Sequence, residues 1–251
     1  GAHLRATGHH LGSFLGANDA RQALRAAGAG QQAQLHFRQT ELGLGIAHPV
    51  MRAQRHFQAA AERGVSIGAH VSYPDRVGFG RRDMDVTSAE LTADVIYQIG
   101  AIKGVAAAAG VTVGYVKPHG ALYNRIAHDA KQGQAVIDGI KAIDPDLVMM
   151  GLAGSPILDL ARASGLKVVA EAFADRAYDP NGHLVSRQLP GAVHHDPEVI
   201  VQQSLTLSRG EPLTASDGSP LLLRANTLCV HGDNASSVAA VKRIREALKP
   251  A

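Results

Sequence analysis

Gly114-Tyr115-Val116-Lys117-Pro118-His119-Gly120-Ala121-Leu122-Tyr123-Asn124 is the stretch whose reading decides the fold. The residues from Thr112 to Val116 form a short apolar run that reads as a strand. Lys117-Pro118-His119-Gly120 reads as a turn, and a helix follows it. Pro118 restricts its own backbone and keeps Lys117 out of helical geometry. Gly120 permits a tight turn, or the close approach of a ligand to the backbone. In proteins that alternate strands and helices, the carboxyl ends of parallel strands carry the active site. A cation, an imidazole and a phenol thus arrive together where chemistry is normally done.

Working outward, the same alternation recurs. Val65 to Ala69 is a strand ending on His70, followed by a loop rich in Pro, Gly and Arg from Ser72 to Asp85. Thr87-Ser88-Ala89-Glu90 is a capping box that opens a helix to about Ala109. Leu91, Val95, Ile99, Ile102 and Ala106 recur along it at helical spacing. Beyond the central stretch, a helix from Ala121 to Ile143 is expected to break near Gly133. Leu147 to Met150, Lys167 to Phe173 and Asn226 to Val230 read as strands. Their helices run from Pro156 to Ala163, from Asp196 to about Arg209, and from Ala235 to Leu248. An irregular excursion from Tyr178 to His195 precedes the second of these. Five strand-then-helix units with apolar strands define an α/β protein with a parallel sheet covered by helices. A β/α barrel and an open doubly wound sheet both satisfy this pattern. Neither a dinucleotide fingerprint nor a G-x-x-x-x-G-K-[ST] phosphate loop is present.

Composition narrows the classes further. A chain of 251 residues can bury a full core, and with 4% aromatics and no Trp that core is aliphatic. The single Cys229, in the apolar run Leu228-Cys229-Val230, rules out an internal disulfide framework and reads as an inert core residue. The sequence pI of about 9.1 raises the question of nucleic acid. The basicity belongs to one end, however. Residues 1–64 carry seven Arg against three acids, and the remainder is nearly balanced. No basic cluster is interleaved with aromatics, so nucleic-acid binding is not expected. No apolar run is long enough to span a membrane, and the start lacks a signal peptide's apolar centre. A cytoplasmic protein is expected.

Four strand ends carry ionisable groups: His70 with Asp75 and Arg76, Lys117 with His119, Asp175 with Arg176, and His231 with Asp233. In a parallel sheet or barrel these ends converge on one face and can share a pocket. His70, His119 and His231 suit acid/base work or metal binding. Lys117 and Arg176 suit stabilisation of negative charge, with Asp75, Asp175 and Asp233 orienting these groups. Arg76 and Arg81 can hold a carboxylate in a fork, and Tyr123 joins them as a substrate contact. His128 and His183 read as surface residues, and His194-His195 as a polar loop.

Several blocks together resemble the LamB/YcsF family. They are Gly68-Ala69-His70-Val71-Ser72-Tyr73-Pro74-Asp75-Arg76 with Phe79-Gly80-Arg81, Tyr97-Gln98-Ile99-Gly100, and Val116 to Tyr123. Gly151-Leu152-Ala153-Gly154-Ser155, Glu171 to Tyr178, and Cys229-Val230-His231-Gly232-Asp233 complete the set. The resemblance covers about Ala59 to Leu248 and implies a seven-stranded β/α barrel related to polysaccharide deacetylases. It further implies opening of the lactam of 5-oxo-L-proline to L-glutamate, coupled to hydrolysis of ATP, together with 5-oxoprolinase subunits B and C. A divalent metal is a second cofactor to test, with His70 and His119 as its candidate ligands. Two other functions fit the residues: a metal-dependent carbohydrate deacetylase or amidase acting alone, and a non-catalytic scaffold subunit.

The N-terminal region departs from the family. Residues 1–58 lack both the D-L-N-x-D-x-G-E motif of the family's first strand and the C-G-x-H-A-G-D motif that ends its second. Only Pro49-Val50-Met51-Arg52-Ala53 echoes the segment beyond them. Residues 59–251 are therefore assigned to a single catalytic domain, and residues 1–58 to an anomalous segment, irregular or misread. A frame-shifted segment, loss of part of the site, and a divergent replacement all stay open. Leu42 to Ile46 is the strand candidate there, and a helix is expected from Val50 to Gly64. Two further barrel strands are expected to come from this region.

Overall fold

The apolar runs fold as strands of a closed, all-parallel barrel in a computed structural model that describes residues 10–14, 32–35, 56–231 and 235–248. In chain order the strands are β1 (His10–Phe14), β2 (Gln32–Leu35), β3 (Ser66–Ala69), β4 (Val113–Val116), β5 (Val148–Leu152) and β6 (Val168–Phe173). A small antiparallel hairpin, β7 (Leu213–Thr214) and β8 (Pro220–Leu221), precedes β9 (Thr227–His231). The barrel order is β1-β2-β3-β4-β5-β6-β9, with β9 pairing back onto β1. Of the two architectures that the strand pattern allowed, the chain adopts the barrel.

The two extra strands do come from the N-terminal region. They lie at His10–Phe14 and Gln32–Leu35, and the candidate Leu42 to Ile46 lies outside the described residues. β1 and β2 instead bridge β9 to β3 through backbone pairing. Their sequences, His-Leu-Gly-Ser-Phe and Gln-Ala-Gln-Leu, contain no β-branched residue, so local preference does not announce them. Of the helix expected from Val50 to Gly64, the described part spans 56–61.

The helices are α1 (Ser88–Ala108), α2 (Gly120–Ile126), α3 (Ala130–Ile143), α4 (Pro156–Ala163), α5 (Pro197–Arg209) and α6 (Ala235–Ala247). α1 starts at the expected capping box: Thr87 Oγ1 accepts from the Glu90 amide, and the Glu90 carboxylate accepts from the Thr87 amide. Leu91, Val95, Ile99 and Ile102 are buried, each contributing about 1.5–3 kcal/mol. The break between α2 and α3 falls at Ala127–Asp129, not at Gly133. Asp129 caps α3 by accepting from the Gln132 amide. Gly133 stays helical and buried, and a Cβ there would lie 2.6 Å from Ile157 Cδ1.

Gly120 sets the turn after β4. Its φ is +60°, and a Cβ would come within 2.4 Å of the Gly80 carbonyl oxygen. That carbonyl accepts from the Ala121 amide at 2.9 Å, which locks the β3 loop against the start of α2. The group that approaches this glycine is thus a neighbouring loop. Gly120→Ala is expected to cost about 1–3 kcal/mol from the left-handed backbone alone, with the clash adding to it. A chemical denaturation midpoint checks this, and an unchanged midpoint would remove Gly120 as the determinant of the turn.

Candidate active site

The strand ends converge as the alternation requires. The extended backbone continues past β4, with the Lys117 amide donating to the Ala69 carbonyl at 2.8 Å and the His119 amide to Val71 at 2.7 Å. This holds Lys117 and His119 beside His70. Lys117, His119, Tyr123, Arg176 and His231 line one cavity of about 680 Å³, and His70 stands behind His119 with ring centroids 4.8 Å apart.

The arrangement with the clearest chemistry lies between β6 and β9. Asp175 Oδ2 accepts from both the backbone amide and Nδ1 of His231, at 2.9 and 2.7 Å. Nδ1 therefore carries the proton and Nε2 is the acceptor. Arg187 donates to that Nε2 at 2.8 Å, which is consistent with this tautomer. Burial opposes the charge on Asp175, yet the His231 ring, its two hydrogen bonds and Arg187 outweigh it and hold the carboxyl below its usual range. This is a carboxylate-oriented imidazole, the arrangement of a general base.

Lys117 lies at the cavity floor, where its Nζ donates to Glu171 Oε1 of β6 at 2.6 Å, past the intervening strand β5. Both side chains are almost wholly buried. Cys229 Sγ is 3.4 Å from the same Nζ, and the ring centroids of Phe173 and Tyr123 lie 5.1 and 5.7 Å from it. Burial pushes the Tyr123 hydroxyl well above its usual pKa, with Glu171 acting in the same direction, so Tyr123 stays protonated.

His70 and His119 form a second unit. His70 Nδ1 faces the Lys117 carbonyl at 2.6 Å, and His119 Nε2 faces the Phe79 carbonyl at 2.8 Å. Carbonyls only accept, so both of these nitrogens carry hydrogen. The inner nitrogens, His70 Nε2 and His119 Nδ1, face one another at 3.2 Å. Burial lowers the His119 pKa to about 3, with Arg81, Lys117 and His231 acting the same way and the Phe79 carbonyl opposing them. The facing nitrogens offer a metal two adjacent donors. Among the described residues no third His, Cys, Asp or Glu joins them in a group that could hold a metal ion.

The remaining expected residues serve other ends. Asp75 faces its own loop, accepting from the Gly78 amide at 2.8 Å and from Arg82 Nε at 2.9 Å. That loop carries Phe79 at φ +59°, the conformation in which its carbonyl meets His119. Asp75 therefore supports the site through loop shape. Arg176 donates from Nε to the Ala192 carbonyl at 3.1 Å and from a terminal nitrogen to Val185 at 2.5 Å, which ties down the excursion after β6. Arg76 is exposed and is not among the cavity's lining residues, whereas Arg81 lines the cavity and lies over the Phe79 ring. Asp233 lies outside the described residues. His128 and His183 are exposed, yet both reach the cavity rim. Glu171 and Arg187 are the residues that sequence reasoning passed over. A lone acid inside the apolar run Val168–Phe173 was the signal for Glu171, whereas nothing local marks Arg187.

A closed β/α barrel with a cationic cavity at its strand ends is the class that fold and site define, and the chain belongs to the LamB/YcsF family, which matches residues 47–251. The match begins upstream of Ala59, the start of the stretch that the resemblance covers. A relative from Agrobacterium fabrum, named as 5-oxoprolinase A-subunit 1, is 69% identical over 191 residues, covering 76% of this chain and 75% of that protein. Another from Pseudomonas syringae pv. tomato, named as 5-oxoprolinase A-subunit 3, is 58% identical over 197 residues, covering 78% and 77%. The crystal structure of a lactam utilization protein from Thermus thermophilus superposes with a TM-score of 0.79 at 33% identity, over 96% of each chain. Among the described residues no helix is long and apolar enough to cross a membrane.

Proposed function

We propose that this chain is the lactam-opening subunit of an ATP-dependent 5-oxoprolinase and converts 5-oxo-L-proline to L-glutamate together with subunits B and C. The observation that carries this reading is the Asp175–His231 pair, which opens into a cavity lined by Arg and Lys with no Asp or Glu among its described lining residues. Such a cavity suits an anionic substrate and a developing oxyanion. The subunit names of the relatives and the lactam utilization of the structural relative support the same reading.

In this mechanism His231 Nε2 takes a proton from water as its oxygen bonds to the lactam carbonyl carbon. Lys117, at the cavity floor, lowers the energy of the negative oxygen that forms. The carbon–nitrogen bond then breaks, and the nitrogen takes the proton to become the amine of glutamate. ATP enters as a co-substrate of the assembly, hydrolysed by a second water. The test mixes this chain with subunits B and C and follows glutamate and ADP. Glutamate formation that requires all three chains and ATP is the expected result. Turnover without ATP, or by this chain alone, would overturn the reading.

A further inference from the structure

Among the cations that line the cavity, three are engaged in ways that suit fixed roles. Lys117 is bonded to Glu171, Arg176 holds two loop carbonyls, and Arg81 lies over Phe79. Arg187 differs. It is exposed, and its guanidinium donates to His231 Nε2, the same lone pair that a general base must present to water. While that bond stands, the nitrogen cannot accept a proton.

We propose that Arg187 binds the carboxylate of the substrate, and that it exchanges its bond to His231 for that carboxylate as the substrate enters. The proposal rests on the lactam-hydrolase reading and adds to it the residue that recognises the acid group. An uncharged imidazole nitrogen is a weaker partner for guanidinium than a carboxylate, which accepts two parallel hydrogen bonds. The exchange is therefore favourable and frees Nε2 at the moment the substrate is seated. In 5-oxo-L-proline the carboxylate sits on the carbon bonded to the lactam nitrogen, so an anchor beside the base brings the amide bond to the base.

The surrounding chain is built for this movement. The feet of the excursion are tied by backbone bonds from Val185 to Ala177 and from Ala177 to Ala192, both 3.0 Å, and by Arg176. Residues 186–191, which carry Arg187, form an exposed arch between those ties. The side chain can turn while the arch stays in place.

The test compares wild-type, Arg187→Gln and Arg187→Lys chains, each assembled with subunits B and C. KM for 5-oxo-L-proline is expected to rise about tenfold to a hundredfold in Arg187→Gln, with kcat changed much less and Arg187→Lys between. Inhibition by 2-pyrrolidinone, which lacks the carboxylate, should be equal in all three. An unchanged KM in Arg187→Gln, or an equal loss toward 2-pyrrolidinone, overturns the proposal. If the wild-type assembly does not turn over 5-oxo-L-proline, the broader reading fails and calorimetry on this chain decides the role of Arg187. Saturable binding of 5-oxo-L-proline that disappears in Arg187→Gln supports it. Absent binding, or binding that survives the substitution, overturns it.

Discussion

Replacing His231 with alanine is expected to lower kcat of the assembled enzyme by about a hundred- to ten-thousandfold, the contribution of a positioned proton acceptor. The fold should survive, because the ring is at the cavity wall and its loss leaves Asp175 Oδ2 the backbone amide of position 231 as a donor. Asp175→Asn should bring a comparable fall. Its amide can no longer supply a carboxylate to both the backbone and Nδ1, so the ring loses the partner that keeps Nε2 as the acceptor. Single-turnover glutamate formation, with circular dichroism as the control for folding, makes the comparison. Activity within about threefold of wild type in His231→Ala would remove it from the mechanism, and Lys117, His119 and Tyr123 would have to account for the chemistry.

The second large effect is on stability. Lys117 and Glu171 are 2% and 0% exposed as side chains, so each compensates the buried charge of the other. Glu171→Gln leaves the Lys117 ammonium facing Cys229, Phe173 and Tyr123, and is expected to cost about 3–5 kcal/mol. In a chain of this size that lowers Tm by roughly 10 °C. Removing both charges together, as Lys117→Met with Glu171→Leu, should recover most of the loss, because an apolar pair of similar volume carries no desolvation penalty. The double variant should nonetheless be catalytically crippled, since the cavity floor has lost its cation. A double variant no more stable than Glu171→Gln would show that the pair acts as more than two mutually compensating charges.

The regular part of the chain was legible because its signals are local. Thr87 and Glu90 make a capping box three residues apart, and Asp196 caps α5 by accepting from the Glu198 amide, with Pro197 in the first turn. The strands ending on His70, Lys117 and His231 could be read from short apolar runs, and parallel pairing then requires those ends to meet on one face. β1 and β2 were not legible, because their strand character comes from neighbours on both sides and not from their own residues. The break between α2 and α3 falls before Asp129 and not at Gly133, because the cap at Asp129 outweighs a glycine whose lack of a side chain is needed for packing on Ile157.

The primary structure alone determined the kind of protein this is: an α/β chain whose strand ends carry His70, Lys117, His119, Asp175 and His231, with blocks that mark its family. Only the tertiary structure decided how those groups divide the work. It paired Asp175 with His231 and left Asp75 to shape a loop. It set Lys117 against Glu171 and brought Arg187, from an irregular excursion, onto the base. The physical reason is range: caps, turns and apolar periods are written within a few residues. The charge partners lie 54 to 56 positions apart in the chain and meet only once the barrel closes.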